Sequence, residues 1–78
     1  MIAVNPDTFE VFWFESQHEA ARQLGVSVGG VNRVVKGNLN TTKGCWFCYA
    51  DENAVEKTRG KFGDGLANKV EELIREHQ

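Results

Sequence analysis

The amino-acid sequence predicts an α+β fold with the element order ββααβ, followed by a C-terminal amphipathic helix. The first five elements are a small β-hairpin, a helix-turn-helix and a third strand. A proline-containing turn between two apolar runs indicates the hairpin. The segment Ser16 to Gly37 has the caps and glycine spacing of two short helices. An aromatic-rich run, Cys45 to Ala50, is typical of a strand.

The hairpin is expected within residues 1–15. Ile2 to Val4 forms its first strand and Phe9 to Phe14 its second, and the turn between them is Asn5-Pro6-Asp7-Thr8. Proline pre-sets the turn dihedral, and Asn and Asp side chains bond to nearby backbone groups. Five of the six residues in the second strand are apolar, so both of its faces are expected to be largely covered.

The helix-turn-helix begins with a capping box, in which Ser16 is followed three residues later by Glu19, so its first helix is expected from Gln17. Gly25 supplies the left-handed backbone of a sharp turn, and Ser27 is a second N-cap. The predicted buried faces are Ala20, Ala21 and Leu24 on the first helix and Val31, Val34 and Val35 on the second.

Two interpretations of this helix pair remain open. It is either an ordinary helical hairpin or a DNA-binding helix-turn-helix. The small alanines favour the second, because they allow the helices to cross closely and leave the outer face of the second helix free for a DNA major groove.

The net charge of −2 is unfavourable for a nucleic-acid binder, but the charges are unevenly distributed. No acidic residue lies between Glu19 and Asp51, and the basic residues of that window are Arg22, Arg33, Lys36 and Lys43. Phosphate binding requires a segregated basic face, whatever the total charge. The window therefore predicts the position of a binding face.

The loop Gly37 to Gly44 connects the second helix to the third strand. Its residues are small and polar, so it is either a solvated connector or a further contact surface for phosphates. In the second case, the residues that bond to phosphate oxygens are Asn38, Asn40, Thr41, Thr42 and Lys43.

Cys45 and Cys48 have the spacing of a zinc-binding or redox pair. A zinc site needs two further ligands, and the two histidines, His18 and His77, are far apart in sequence. A redox pair normally lies at a helix N-terminus, whereas positions i and i+3 of a strand face opposite sides. We therefore expect both thiols to pack in the core, and we predict no metal, no cofactor, no catalytic cluster and no enzyme activity.

Residues 51–78 are predicted as a helical extension of the module formed by residues 1–50. Glu52 to Lys57 can form a short helix, and Gly60, Gly63 and Gly65 are expected to interrupt anything longer. The amphipathic helix that follows has Asp64 as a plausible cap. Its apolar stripe is Leu66, Val70, Leu73 and Ile74. This stripe packs either on the domain itself, which a short chain favours, or on a partner such as a second copy.

The composition indicates one small folded domain, since 41% of the 78 residues are apolar. No apolar run approaches the roughly 20 residues that span a bilayer, and a signal peptide is not evident. We expect the cytoplasm of a bacterium or of a phage-infected host, and no membrane partner.

Several short motifs follow one another between residues 9 and 50. They are Phe14-Glu15-Ser16, Glu19-Ala20-Ala21-Arg22, Leu24-Gly25-Val26-Ser27, Val31, Val34, Lys36-Gly37 and Gly44-x-Trp46. In this order they resemble the nuclease-associated modular DNA-binding domain, the intron-encoded nuclease repeat of homing endonucleases. In that family a hairpin precedes a helix-turn-helix, a basic residue and a glycine close the second helix, and a polar loop and an aromatic strand follow.

The resemblance implies binding of double-stranded DNA through the second helix. The residues that match are Ser27, Gly30, Asn32, Arg33 and Lys36. Polar side chains are commoner in the family where this chain has Gly29 and Gly30, so base reading is reduced and close backbone approach to DNA is favoured. The catalytic domains of the family lie elsewhere in longer proteins.

We therefore expect a small phage or mobile-element regulator or accessory factor that binds duplex DNA with low or moderate sequence specificity. Arg33, then Asn32, is expected to contact base edges, while Arg22, Lys36 and Lys43 bind phosphates. The alternative function is a protein–protein interaction module on the same scaffold, using the acidic C-terminal helix. The net charge and the paired glycines favour this alternative.

Overall fold

The computed structural model describes residues 1–77, in which three strands and four helices form an α+β fold. The strands are β1 Ile2–Asn5, β2 Glu10–Trp13 and β3 Trp46–Cys48. The helices are α1 Gln17–Leu24, α2 Val28–Val35, α3 Ala54–Phe62 and α4 Asp64–Glu76. The predicted order ββααβ is confirmed, and two helices follow it.

The three strands form one antiparallel sheet in the order β2-β1-β3. β1 lies in the centre, where Ala3 pairs with Phe12 on one side and with Phe47 on the other. Ile2, Ala3 and Val4 have no exposed surface. The first strand of the chain is therefore the core of the sheet, and β2 and β3 are its opposite edges.

The hairpin turn differs from the prediction at Phe9, which was expected to open the second strand. Asn5 Oδ1 accepts the backbone N–H of Asp7 at 3.1 Å, as expected for such a turn. Phe9, however, has a left-handed φ of 60°, and β2 begins at the next residue. Helix α4 contacts Phe9 directly. Lys69 Nζ donates to the Phe9 carbonyl at 2.7 Å and lies 4.8 Å from the centroid of the Phe9 ring.

The glycines of the C-terminal segment do not all act as predicted. α3 continues through Gly60, and Gly65 lies inside α4, so of the three only Gly63, with a φ of 96°, separates the helices. Asp64 is not the cap that was predicted. It is the first residue of α4, and its carboxylate accepts from Arg59 Nε at 2.9 Å. A Cβ on Gly65 would lie 2.5 Å from Phe9 Cζ, so this glycine allows α4 to approach the hairpin.

Helix α4 packs on its own domain, against α3 and β2. Leu66 and Val70 are buried, and the other members of the apolar stripe are partly buried against the core. At the end of α4, the His77 ring stacks on Trp13, with 4.2 Å between ring centroids. His77 Nδ1 also donates to the Leu73 carbonyl at 2.9 Å, which satisfies one of the last carbonyls of the helix.

Within residues 1–77, no helix is both long enough and apolar enough to cross a membrane.

Candidate nucleic-acid interface

The two caps of the helix-turn-helix form as predicted. Ser16 Oγ accepts the backbone N–H of Glu19 at 3.1 Å, and Ser27 Oγ accepts that of Gly30 at 3.0 Å. Between the helices, Gly25 has a φ of 71°. Its left-handed conformation reverses the chain, and the N–H of Val26 bonds back to the carbonyl of Ala21 at 3.0 Å.

The capping box is only half formed within residues 1–77. The carboxylate of Glu19 does not return to the backbone of Ser16 but accepts from Arg22 at 2.7 and 2.9 Å and from Gln23 at 2.6 Å. The bonds from Arg22 and Gln23 lower the pKa of Glu19. Arg22, one of the four predicted cations of the basic window, is therefore already paired with an acid.

Helix α2 has one buried and one exposed face. Val31 and Val34 are buried, whereas Gly29, Arg33 and Lys36 are exposed. Residues 29, 33 and 36 are spaced by four and three positions, which places them on one stripe of the helix surface. The bare backbone at Gly29 thus lies directly beside the Arg33 side chain.

The end of α2 is a Schellman motif. Gly37 has a φ of 85°, its N–H bonds to the Val34 carbonyl at 3.1 Å, and the N–H of Asn38 bonds to the Arg33 carbonyl at 2.9 Å. This glycine turns the chain sharply after Lys36. The loop therefore leaves the helix directly beside the exposed stripe.

The far end of the loop is a tight two-residue turn. The backbone groups of Thr42 and Cys45 exchange hydrogen bonds of 2.9 and 3.0 Å. Lys43 and Gly44 between them have φ values of 53° and 77°, both left-handed, as a type I′ turn requires. Lys43 therefore occupies the tip of a rigid turn.

This turn lies against the start of α2. A Cβ built on Gly30 would be 3.3 Å from Thr42 Oγ1 and 3.1 Å from Ser27 Oγ. Gly30 thus has an intramolecular role, since it makes room for the loop. The close contact places Lys43 near the N-terminal end of α2, while Lys36 stands at the C-terminal end.

Three cations of the predicted basic window are available to a ligand. Arg33, Lys36 and Lys43 are exposed and form no ion pair within the described residues 1–77. The loop residues Asn38, Asn40 and Thr41 are also exposed, and Asn32 is partly exposed. Of the four cations of the window, Arg22 is paired with Glu19 while its side chain stays largely exposed, and the other three form no ion pair within residues 1–77.

The paired glycines of α2 lead to a stability prediction. A Cβ at Gly29 meets nothing within 4 Å, so Gly29→Ala is expected to stabilise the protein by about 0.5–1 kcal/mol. At Gly30, a Cβ would lie 3.1 Å from Ser27 Oγ and 3.3 Å from Thr42 Oγ1, so these groups must shift by a few tenths of an ångström and the cap is weakened. Urea unfolding followed by circular dichroism should therefore show Gly30→Ala to be less stable than Gly29→Ala, by up to about 1 kcal/mol. Equal midpoints would contradict the close contact at Gly30.

The two cysteines are free and buried, as expected for core residues. Burial raises the pKa of Cys48 to about 11, so its thiol keeps its proton at neutral pH. Burial also raises the pKa of Cys45. Within residues 1–77, no cluster of three or more His, Cys, Asp or Glu side chains is placed to hold a metal ion.

Sequence reasoning missed a group of residues at the C-terminal end of α2. Lys57 and Lys61 of α3 lie across a groove from Lys36, and Tyr49 lines the same groove. The Tyr49 hydroxyl accepts from Gln17 Nε2 at 2.8 Å, which connects α1 to the end of β3. The spacing of Lys57 and Lys61 places both on one helix face, but nothing in the sequence indicates that this face lies beside α2.

Comparison with known families gave one match. The model described as DNA endonuclease I-HmuI-like, NUMOD-like domain matches residues 3–48, more than half of the chain. A search of curated proteins and a search of solved structures each returned no match. The matched residues begin in β1 and end in β3, so they include the whole helix-turn-helix and its loop.

Proposed function

Because the chain belongs to the DNA endonuclease I-HmuI-like, NUMOD-like domain family, we propose that it binds duplex DNA with the exposed face of α2. The family is a homing endonuclease-associated DNA-binding domain, which confirms the resemblance seen in the sequence motifs. Such a domain is a DNA-binding module rather than a catalytic one. The role of this chain is accordingly to bind DNA and to position a partner on it, and not to catalyse a reaction.

The observation that carries the proposal is the exposed stripe of α2 with a free cation near each end. Arg33 is the base-edge contact, because its planar guanidinium can bond to two acceptors of one guanine in the major groove. Asn32 is the second base contact. Lys36 and Lys43 bind phosphates on either side, supported by the hydroxyls and amides of residues 38–42.

The absence of a side chain at Gly29 lowers the sequence specificity expected for DNA binding. Sequence is read by side chains that reach base edges, and this position has none. The DNA backbone can instead approach the helix closely there, because a Cβ at Gly29 would have open space around it. The protein therefore binds many sequences with moderate discrimination, and fuller specificity needs a second copy or a partner protein.

The cellular role follows from the family context. A helix-turn-helix of this family suits a phage or mobile-element regulator, or an accessory factor that brings a partner to DNA. It works where that DNA is present, in the bacterial or infected-host cytosol.

Salt-dependent binding tests the proposal. The full chain is titrated against a labelled mixed-sequence duplex by fluorescence anisotropy at about 50 and 200 mM salt. Micromolar affinity that falls as salt rises is expected, with each phosphate contact contributing about −0.9 to the log–log slope. Arg33→Ala with Lys36→Ala should weaken binding by roughly five- to a hundredfold.

The matched control is Arg75→Ala, because Arg75 lies on α4, paired with Glu71 at 2.9 Å, and should not contact DNA. Unchanged affinity in a folded Arg33→Ala/Lys36→Ala variant would overturn the assignment to α2. A folded wild-type chain with no affinity at either salt concentration would favour the second candidate function, protein binding through α4. The exposed acids Glu71, Glu72 and Glu76 support that candidate.

A further inference from the structure

A groove with a volume of about 530 Å³ runs between the end of α2, the edge strand β3 and helix α3. Three lysines line it: Lys36, the C-cap of α2, and Lys57 and Lys61 from α3. Gly37, Trp46 and Tyr49 are among the other residues that line it. The groove thus joins α3, which carries three basic residues and one acid, to the basic face of the helix-turn-helix.

The lysines of the groove are free to bind an anion. Within residues 1–77 none of the three forms an ion pair, and all are exposed. The acidic neighbour on α3, Glu56, bonds to Arg59, which also binds Asp64. Because Arg59 lies two residues from Lys57 and from Lys61, helical periodicity directs it to another face of α3. Glu56 and Asp64 are thereby paired with Arg59 and not with the lysines of the groove.

We propose that this groove binds the phosphate backbone of the same DNA duplex that α2 contacts. The proposal rests on the proposed function and extends it to α3, which lies outside the residues that match the family. α2 has eight residues and is therefore about 12 Å long, comparable to the width of the major groove. Lys43 lies near one end of α2 and the lysine groove at the other, so the two DNA strands that border the major groove each meet a basic contact.

The geometry gives each groove residue a defined part. Lys57 and Lys61 are one helical turn apart, so their two ammonium groups lie along the groove. Each of them binds one phosphate oxygen. The Tyr49 hydroxyl, held by Gln17, stands at the wall as a further polar contact. Gly37, in the Schellman turn, also lines the groove beside Lys36.

The experiment compares four proteins in the anisotropy titration described above: wild type, Lys57→Gln/Lys61→Gln, Lys57→Arg/Lys61→Arg, and the control Lys69→Gln/Arg75→Gln. The control removes the same charge from α4, which packs on β2 and α3, at two residues that do not line the groove. Thermal melts establish that each variant is folded.

The glutamine pair in the groove should weaken DNA binding by roughly two- to thirtyfold and reduce the steepness of the log–log salt slope by about 1.8, which is two contacts at about 0.9 each. The arginine pair should restore both, because it keeps the charge. The control pair should match wild type.

Two outcomes overturn the inference, and they are distinguishable. If wild type binds DNA and the folded glutamine pair binds equally well with the same slope, the groove is not a DNA contact and the function of α2 stands. If folded wild type does not bind DNA at all, both the proposed function and the inference about the groove are wrong.

Discussion

Phe47→Ala is expected to leave most of the protein unfolded at room temperature. Phe47 is 1% exposed, is the middle residue of β3, and pairs with Ala3 of the central strand. Removing a buried phenyl ring costs about 3–5 kcal/mol, which is about what a core of this size supplies. Far-UV circular dichroism and the fluorescence of the two tryptophans should both report the loss.

The matched control is Tyr49→Ala, two residues further along the chain. Tyr49 is 49% exposed, and its hydroxyl accepts one hydrogen bond, from Gln17. Its replacement should cost about 1 kcal/mol and leave the fold intact. A Phe47→Ala protein as stable as the Tyr49→Ala protein would show that β3 is not part of the core.

Leu66→Ala is expected to destabilise the whole domain by about 2–5 kcal/mol, with a single unfolding transition. Leu66 is 2% exposed in α4, and this helix packs on β2 and α3, so the cavity would open in the shared core. Because the helix-turn-helix and α4 share that core, urea unfolding should give the same midpoint by circular dichroism and by tryptophan fluorescence.

The control is Leu39→Ala, at a leucine that is 40% exposed in the loop after α2. Removal of an exposed side chain should change the free energy of unfolding by roughly 0.5 kcal/mol or less. Two separate transitions in the Leu66→Ala protein, one for the helix-turn-helix and one for the C-terminal helices, would contradict the single-core interpretation and make residues 51–78 an independent extension.

The helix-turn-helix was predictable because its signals are local. Each cap bonds within three residues, as Ser16 does to Glu19 and Ser27 does to Gly30. Gly25 acts through its own φ of 71°. Even here, the second bond of the capping box, from the Ser16 backbone N–H to the Glu19 side chain, does not form within residues 1–77. The Glu19 carboxylate accepts instead from Arg22 and Gln23, three and four residues further on.

The errors of sequence prediction lie where a distant element overrides a local preference. Gly60 was expected to interrupt a helix, yet α3 continues through it. A glycine costs a helix roughly 1 kcal/mol, and this helix is held against the domain by its buried residues Ala54 and Thr58. Phe9 was expected in a strand, but its carbonyl and ring contact Lys69, which is 60 residues away.

The sequence by itself determined the α+β order, the helix-turn-helix and the family, because caps, turns and apolar periodicity act over a few residues. Only the tertiary structure decided which cations are free, how the Lys43 turn meets the start of α2, and that Lys57 and Lys61 face Lys36 across a groove. These features depend on packing between elements far apart in the chain, as the bond between Gln17 and Tyr49 across 32 residues illustrates. Such packing is set by the shared core and leaves no periodic signal in the sequence.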